Sequence, residues 1–505
     1  MKILIILGHP RKDSYCGALA KEYIRGTQEA GASIKKLILT DLQFEMNVNI
    51  SSPQHQYMEP DLLKAKEKIL WADHLVFIYP TWWGNMPALL KGFLDRVFVP
   101  GFAFREIQYD TYDKLLSSKT AQLIVTMDKP RWVYRFIDKA PGTNSLVRST
   151  LKFCGVSPVR ILHLGFVKYS PEEKRREGLK SAYRKGKQVE NGILTPVEKI
   201  QRKINPWLKA IRLQFYPMTF FAYSVGAFLA LKADYGGNVS VFLLGYLLLF
   251  LLEVIVVFNN EYHDKETDKL NRSYSMFTGG SRVLVDGLIS VERLKNASRK
   301  LGWLSLFLAG VVSLLSASPF WLVFSLIALL FVFAISYTAP PLKLSYRRLG
   351  EFTVAFTHSF AVVLCGYVFQ GGGIGDSSPW ILGLPLFFSI IPAIILAGIP
   401  DYFADKKVNK KTLAVYFGRK KAAYLAAFFV FLSFFSALLL KSIPIFKEAY
   451  GSILYFTLPH AILLVKMLYS YIRKDVKPDR IDGILFISLM YILWYAIIPF
   501  IKLMP

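Results

Sequence analysis

Two rhythms of apolar residues divide the chain. Over roughly the first 170 residues, short apolar runs near 2–8, 33–39, 74–79, 121–126 and 159–164 alternate with segments of helical periodicity. That alternation predicts an open parallel sheet with helices on both faces. From about residue 215 the rhythm changes to apolar stretches of roughly twenty residues, the length a helix needs to cross a bilayer. About nine such stretches occur, near 214–232, 239–259, 300–316, 319–338, 352–370, 380–399, 422–440, 450–471 and 483–503. The expected architecture is therefore a two-part chain. Residues 1–172 form an α/β doubly wound parallel sheet, 173–204 a basic linker, and 205–505 an all-α membrane bundle.

Composition agrees with this division. Of 505 residues 53% are hydrophobic, more than a soluble protein of this length requires. The net charge of +26 raises nucleic acid as a partner. The excess, however, lies in residues 174–212 and in the loops flanking the apolar stretches, where it orients a membrane protein instead. Arg272, Arg282, Arg293 and Lys295 follow the second stretch, and Lys343, Arg347 and Arg348 the fourth. Basic residues within 406–411 and 419–421 follow the sixth, and Arg473, Lys474 and Lys477 the eighth, whereas 316–318 and 371–378 carry no Lys or Arg. The positive-inside rule then puts the first half, the linker and the even loops in the cytosol and the C-terminus outside. Cys16, Cys154 and Cys365 lack metal or CxxC spacing, as expected in a reducing compartment. The N-terminal run reads as a first strand rather than a signal peptide.

Charge gathers where two of the apolar stretches end. Asn260-Glu261-Tyr262-His263-Asp264-Lys265-Glu266-Thr267-Asp268 follows the stretch 239–258 and sets Asn260, Asp264 and Asp268 on one helical face. Asp401-Tyr402-Phe403-Ala404-Asp405 follows 381–399 on the same side. Hard divalent ions take carboxylate and amide oxygens, and Mg²⁺ commonly bridges carboxylates to phosphate. Asn260, Asp264, Asp268, Asp401 and Asp405 are thus candidate ligands for Mg²⁺ gripping a diphosphate. Either cluster alone reads equally well as a solvated helix end; two of like spacing on one side favour a shared site. Lys343 and Arg347 read either as contacts to diphosphate or acceptor, or as ordinary cytosolic-loop charges. Glu253 lies two turns before Asn260 on the same face, pointing into the bundle to polarise an acceptor or to pair with another buried group. His358 and His460 read as satisfied core histidines.

These motifs resemble the UbiA superfamily of intramembrane prenyltransferases. The run 260–268 resembles its first aspartate motif, and Asp401 to Asp405 with Lys410-Lys411-Thr412-Leu413 its second. The likeness extends through Tyr337-Thr338-Ala339-Pro340-Pro341-Leu342-Lys343. Phe277-Thr278-Gly279-Gly280-Ser281-Arg282 is most similar to the 1,4-dihydroxy-2-naphthoate polyprenyltransferase branch. Glu261 departs from the pattern, which usually has Asp there. The resemblance implies Mg²⁺-dependent transfer of a prenyl chain from a polyprenyl diphosphate to an aromatic acceptor at the bilayer surface.

In the first half, ligands of a doubly wound sheet sit beyond the carboxyl strand ends at the switch in strand order. The loop after the first strand, Gly8-His9-Pro10-Arg11-Lys12-Asp13-Ser14-Tyr15-Cys16-Gly17, opens onto a helix N-terminus suited to phosphate. The loop after the third, Tyr79-Pro80-Thr81-Trp82-Trp83-Gly84-Asn85-Met86-Pro87, suits a flat ring. With Ala88-Leu89-Leu90-Lys91-Gly92-Phe93-Leu94-Asp95-Arg96-Val97, they resemble the flavodoxin-fold NAD(P)H:quinone oxidoreductases. That resemblance implies FMN or FAD, with His9, Ser14, Tyr15 and Cys16 near its phosphate and Pro80, Thr81, Trp82, Trp83 and Gly84 along its ring, and NAD(P)H as reductant. Thr126-Met127-Asp128-Lys129-Pro130 departs from the Gly-Gly usual in the next loop. Together the resemblances imply a bifunctional enzyme of quinone biosynthesis such as that of menaquinone. The rival readings are a flavin reductase on an inert membrane anchor, a prenyltransferase with a flavin-free scaffold, and transfer to 4-hydroxybenzoate or another acceptor.

Overall fold

A computed structural model describes residues 1–108, 111–275, 277–474 and 480–505. The chain forms two compact units, Met1–Gln201 and Arg202–Pro505.

The first unit is built on β1 (Lys2–Leu7), β2 (Ser33–Ile38), β3 (His74–Pro80), β4 (Phe104–Gln108), β5 (Thr111–Lys114), β6 (Thr120–Thr126) and β7 (Val159–Leu164). Five of these pair in parallel in the order β2-β1-β3-β6-β7. Side chains of a strand alternate between faces. Leu4, Ile6, Leu75 and Phe77 accordingly enter one core and Ile3, Ile5, Val76 and Ile78 the other. The central strands β3 and β6 are buried along their whole length, which is why apolar residues follow one another without alternation at 75–79 and 123–125. The antiparallel hairpin β4–β5 was not foreseen, because its polar sequence lacks an apolar run.

The expected basic linker begins instead with a helix that belongs to this unit. Glu172–Lys187 packs on the helix Tyr15–Glu29. A Cβ on Gly26 would fall 2.2 Å from the carbonyl oxygen of Tyr183, and one on Gly186 2.3 Å from that of Tyr23. Only glycine at these positions lets the two backbones approach so closely. Lys and Arg cover the solvent side of this helix, which gave its sequence the look of a charged tether.

All nine apolar stretches of the second unit are helical. Among the described residues seven helices are long and apolar enough to cross a membrane: Val239–His263, Val291–Leu315, Gly350–Phe369, Ser377–Lys407, Arg419–Leu440, Pro444–Arg473 and Asp482–Leu503. The expectation of nine spans exceeds this count. Tyr216–Lys232 and Phe320–Ser336 have 17 residues each, about 25 Å of helix against a hydrocarbon layer of about 30 Å. Ser377–Lys407 is 61% buried and central, whereas Val291–Leu315 is 28% buried and presents Trp303, Phe307 and Leu314 outward, as lipid contact demands.

Candidate functional site

The acidic residues lie at the carboxyl ends of Val239–His263 and Ser377–Lys407 and in the short helix Lys265–Leu270 between them in sequence. Charged groups buried at this depth need partners, and the loops supply them. Lys410 reaches back from beyond Ser377–Lys407: its ammonium lies 2.7 Å from Asp264 Oδ2 and 3.8 Å from Asp405 Oδ1. It ties the two aspartate motifs together. Tyr346 donates its hydroxyl to Asp264 Oδ1 at 2.6 Å, and Asn271 Nδ2 donates to Asp401 Oδ1 at 2.6 Å. Burial opposes the charge on Lys410, but Asp264 and Asp405 hold its pKa well above the usual lysine range. Burial pushes the Asp268 carboxyl well up, and the nearby charges of Glu261, Asp264 and Asp401 add to the effect.

A glycine turn closes over this cluster. Gly280 has φ +68°, and a Cβ there would lie 2.1 Å from Asp268 Oδ2 and 3.0 Å from Glu261 Oε1. The carboxylates of Asp268 and Glu261 thus pack directly on the turn, and Ser281 N–H donates to Glu261. This gives Glu261 a positioning role that its length suits. Arg282 donates to the carbonyl oxygen of Asp268 at 2.7 Å, and Arg212 to that of Phe277 at 2.9 Å. The Arg212 charge also acts on Glu261, Asp268 and Asp401.

The donor set suits a hard divalent cation in kind. Every candidate ligand is an oxygen, and Asn260 Oδ1 and Asp405 Oδ1 are buried without a hydrogen-bond partner. Among the described residues no three His, Cys, Asp or Glu side chains are gathered closely enough to hold an ion. Lys410 occupies the space between Asp264 and Asp405 where a cation would neutralise them. Among the described residues neither Lys343 nor Arg347 makes an ion pair with the acids: Lys343 stands 5.2 Å from the ring of Tyr346, the residue that bonds Asp264, and exposed Arg347 donates to the carbonyl oxygen of Pro341 at 3.1 Å.

Below the cluster runs an apolar cavity lined in part by Leu330, Phe333 and Tyr337. Glu253 opens onto it and faces His358 Nε2 at 3.3 Å, with Thr219 donating to the same carboxylate. The second alternative for Glu253, pairing with a buried group, is thus realised. His460 accepts from Trp494 Nε1 at 2.9 Å and meets the carbonyl oxygen of Ile487, a satisfied core histidine.

In the first unit, the loops after β1, β3 and β6 meet at the carboxyl edge of the sheet. Thr81 N–H donates to the carbonyl oxygen of Thr126 at 2.7 Å, and the rings of His9 and Trp82 stand edge to face at 5.9 Å. Trp82 and Asn85 exchange backbone bonds of 2.8 and 2.9 Å, a tight turn that leaves Trp83 wholly exposed. Pro80 ends β3, and Gly84 is held by Gly142 N–H at 2.9 Å and by Tyr134. Ser14 caps the helix Tyr15–Glu29, accepting from Gly17 N–H. Burial, with Arg11 beside it, lowers the His9 pKa. Two of the predicted phosphate contacts are turned elsewhere. Tyr15 donates to the carbonyl oxygen of Arg175 at 2.8 Å, and Cys16 is buried against Thr126 with its thiol pushed up to about 11. What these two offer a phosphate is backbone N–H, because the apolar face of their helix turns their side chains inward.

The model of the UbiA prenyltransferase family matches residues 219–492, more than half of the chain. The chain belongs to the UbiA prenyltransferase family. The model of a flavodoxin-like fold matches residues 1–186, so a flavodoxin-like domain is joined here to the UbiA prenyltransferase domain. Among relatives, an uncharacterized NAD(P)H oxidoreductase of Haemophilus influenzae is 28% identical over 195 residues, 37% of this chain and 94% of that protein. A ribosyldihydronicotinamide dehydrogenase-like protein of Penicillium crustosum is 31% identical over 153 residues, 25% of this chain and 57% of that protein. A solved UbiA homolog from Archaeoglobus fulgidus is 18% identical, with 58% of this chain and 98% of that one covered at a TM-score of 0.41.

The acidic end of the UbiA domain is held together by residues that spacing did not single out. Lys410 stood within the quoted motif without a role, and Tyr346 and Asn271 lay in loops between stretches. Arg212 looked like the end of a basic linker. A signal was present for Asn271: Gly279-Gly280 announces a turn that a side chain approaches closely, and a Cβ on Gly279 would lie 2.8 Å from Asn271 Nδ2.

Proposed function

We propose that the membrane domain transfers a polyprenyl group from a polyprenyl diphosphate to a hydroxylated aromatic acceptor, 1,4-dihydroxy-2-naphthoate or a close analogue. The flavodoxin-like domain then acts as an NAD(P)H-dependent flavin quinone reductase. The observation that carries the reading is the meeting of Asp264 and Asp405, from two different motifs, on the single ammonium of Lys410. Asn260, Asp264, Asp268, Asp401 and Asp405 would hold Mg²⁺, which when bound neutralises a diphosphate leaving group. Lys410, paired with Asp264, and Arg212, whose charge acts on Glu261, Asp268 and Asp401, would supply cations for the diphosphate oxygens. As the allylic C–O bond breaks, the acceptor ring carbon forms the new C–C bond and the diphosphate leaves with the electron pair.

In the first domain, the N-terminus of Tyr15–Glu29 with its Ser14 cap suits the flavin phosphate, and the turn from Pro80 to Gly84 suits the flavin ring. A bound flavin supplies hydride transfer from NAD(P)H to a quinone. The two activities complement each other chemically. A quinone ring is electron-poor, whereas its quinol is a good nucleophile toward an allylic cation. Both the reductase and the acidic end of the bundle are read as cytosolic, with the C-terminus outside, on the distribution of Lys and Arg.

The test incubates membranes with labelled polyprenyl diphosphate and candidate aromatics, with and without Mg²⁺ and NAD(P)H. Labelled prenyl-aromatic product should require Mg²⁺, and should require NAD(P)H only when the acceptor is supplied as a quinone. No labelled product in any combination overturns the proposal.

A further inference from the structure

Glu253 and His358 stand out because a carboxylate in the middle of an apolar span is costly and the acidic cluster does not use it. Both line the cavity, and their side chains keep 17% and 27% of their surface accessible. Hydrocarbon makes up most of the wall, with Leu330 and Phe333 facing this pair. His358 Nδ1 lies 3.1 Å from the carbonyl oxygen of Val354, which assigns its N–H to that nitrogen. Nε2, facing Glu253, is then the position that gains or loses the second imidazole proton. Thr219 holds the Glu253 carboxylate in place.

Two further observations join this pair to the acidic cluster. Glu253 and Asn260 lie on the same helix seven residues apart, about 10 Å along its axis and on one face. Tyr337 lines the cavity and also lies within electrostatic range of Lys410, Asp264 and Asp405. Tyr337 therefore borders both the cavity that holds the pair and the charged end of the bundle.

Resting on the prenyl transfer proposed above, we infer that Glu253 and His358 form the acceptor site, binding a ring hydroxyl and taking its proton during transfer. The hydroxyl proton passes to the Glu253–His358 pair, and the oxygen electron pair pushes into the ring. The ring carbon bonds to the allylic carbon as the allylic C–O bond breaks and the diphosphate departs. The resulting dienone loses its ring-carbon proton to a diphosphate oxygen and takes the hydroxyl proton back from Glu253, so the ring regains aromaticity with every proton accounted for. The apolar wall selects a flat ring, and the single carboxylate selects a ring with a hydroxyl.

The experiment uses the full-length protein in membranes with labelled farnesyl diphosphate and 1,4-dihydroxy-2-naphthoate, scoring label in prenyl-aromatic product against label in free prenyl alcohol. For E253Q the ratio of transfer to hydrolysis should fall about 100-fold, the usual loss when a positioned base is removed. E253D should recover part of it, and the acceptor KM should rise while the KM for farnesyl diphosphate holds. T219V, which keeps its side-chain shape and removes one donor to Glu253, should shift the ratio the same way by a smaller factor. A ratio and an acceptor KM in folded E253Q or T219V indistinguishable from wild type would overturn the inference while leaving prenyl transfer standing. Wild-type protein that yields neither labelled product would overturn prenyl transfer itself, and this inference with it.

Discussion

The two candidate sites solve opposite problems. The acidic end of the membrane bundle concentrates charge where water is scarce, so its carboxylates are held by one another's partners: Asp264 by Lys410 and Tyr346, Asp401 by Asn271, Asp268 against the Gly280 turn. The loops at the sheet edge of the first domain keep their charges, such as Arg11, Lys12, Asp13, Asp128 and Lys129, at exposed positions and build their shape from backbone bonds, with Trp83 standing free in solvent. Buried charge makes a site cooperative, because removing one member strands the others. A site built from backbone and an exposed ring is modular. The same kind of substitution should therefore do far more harm in one than in the other.

The largest effect is expected from Asp264→Asn. It removes the carboxylate shared by Lys410 and Tyr346, and prenyl transfer should fall about 1000-fold, the upper range for loss of one preorganised electrostatic group. NAD(P)H oxidation by the same membranes should be unaffected. Equal losses in both assays would break the comparison, since they would mean that the two sites do not act as separate units.

Next comes Lys410→Met. This keeps the volume of the side chain but leaves Asp264 and Asp405 without their ammonium, at a cost of about 3–5 kcal/mol for a broken buried pair. Thermal unfolding of the membrane domain in detergent, followed with and without Mg²⁺, should show a large loss that Mg²⁺ partly restores. A loss that Mg²⁺ leaves untouched would count against these carboxylates as its ligands.

How much of each site was legible in the sequence follows from the same contrast. The aspartates were readable because helical spacing maps residues onto a face without knowledge of the fold. Their partners Lys410, Tyr346 and Asn271 were not, because loops place residues by tertiary contact and carry no period. Lys343 and Arg347 looked equivalent to Lys410 by composition and side of the membrane, and only the return of the chain at residue 410 distinguishes them. In the first domain, the strand runs fixed the sheet to within a residue or so, since β3 and β6 are buried on both faces. That the Tyr15 and Cys16 side chains turn inward could not be read, because a loop sequence does not say which side chains its following helix buries. The helix Glu172–Lys187 was hidden by charge, its packing face consisting largely of Gly178, Ala182 and Gly186.

Gly280→Ala sharpens the comparison from the backbone side. The added methyl would meet Asp268 Oδ2, and φ +68° is unfavourable for alanine. The strain should cost about 1–3 kcal/mol, and displacement of Asp268 should lower prenyl transfer about tenfold. Gly279→Ala, beside it, meets the Tyr274 side chain and Asn271 Nδ2 rather than a carboxylate and reaches Asp401 only through Asn271, so at a similar loss of stability its effect on transfer should be smaller. Thermal unfolding and the transfer assay, run together on both variants, separate the two effects.

The smallest effect is expected from Trp83→Ala in the flavodoxin-like domain. Its indole is fully exposed, so its removal should leave the unfolding midpoint within the ±0.5 kcal/mol typical of surface positions. If the ring covers a bound flavin, its stacking is worth about 0.5–1.5 kcal/mol, which corresponds to a flavin dissociation constant raised about twofold to tenfold. Fluorescence titration of flavin-stripped protein with FMN and with FAD reads that shift directly. An unchanged constant would place the flavin away from the exposed turn. A collapse in stability would show that this edge of the sheet is as cooperative as the acidic cluster, and the distinction between a charged, interlocked site and a modular one would fail.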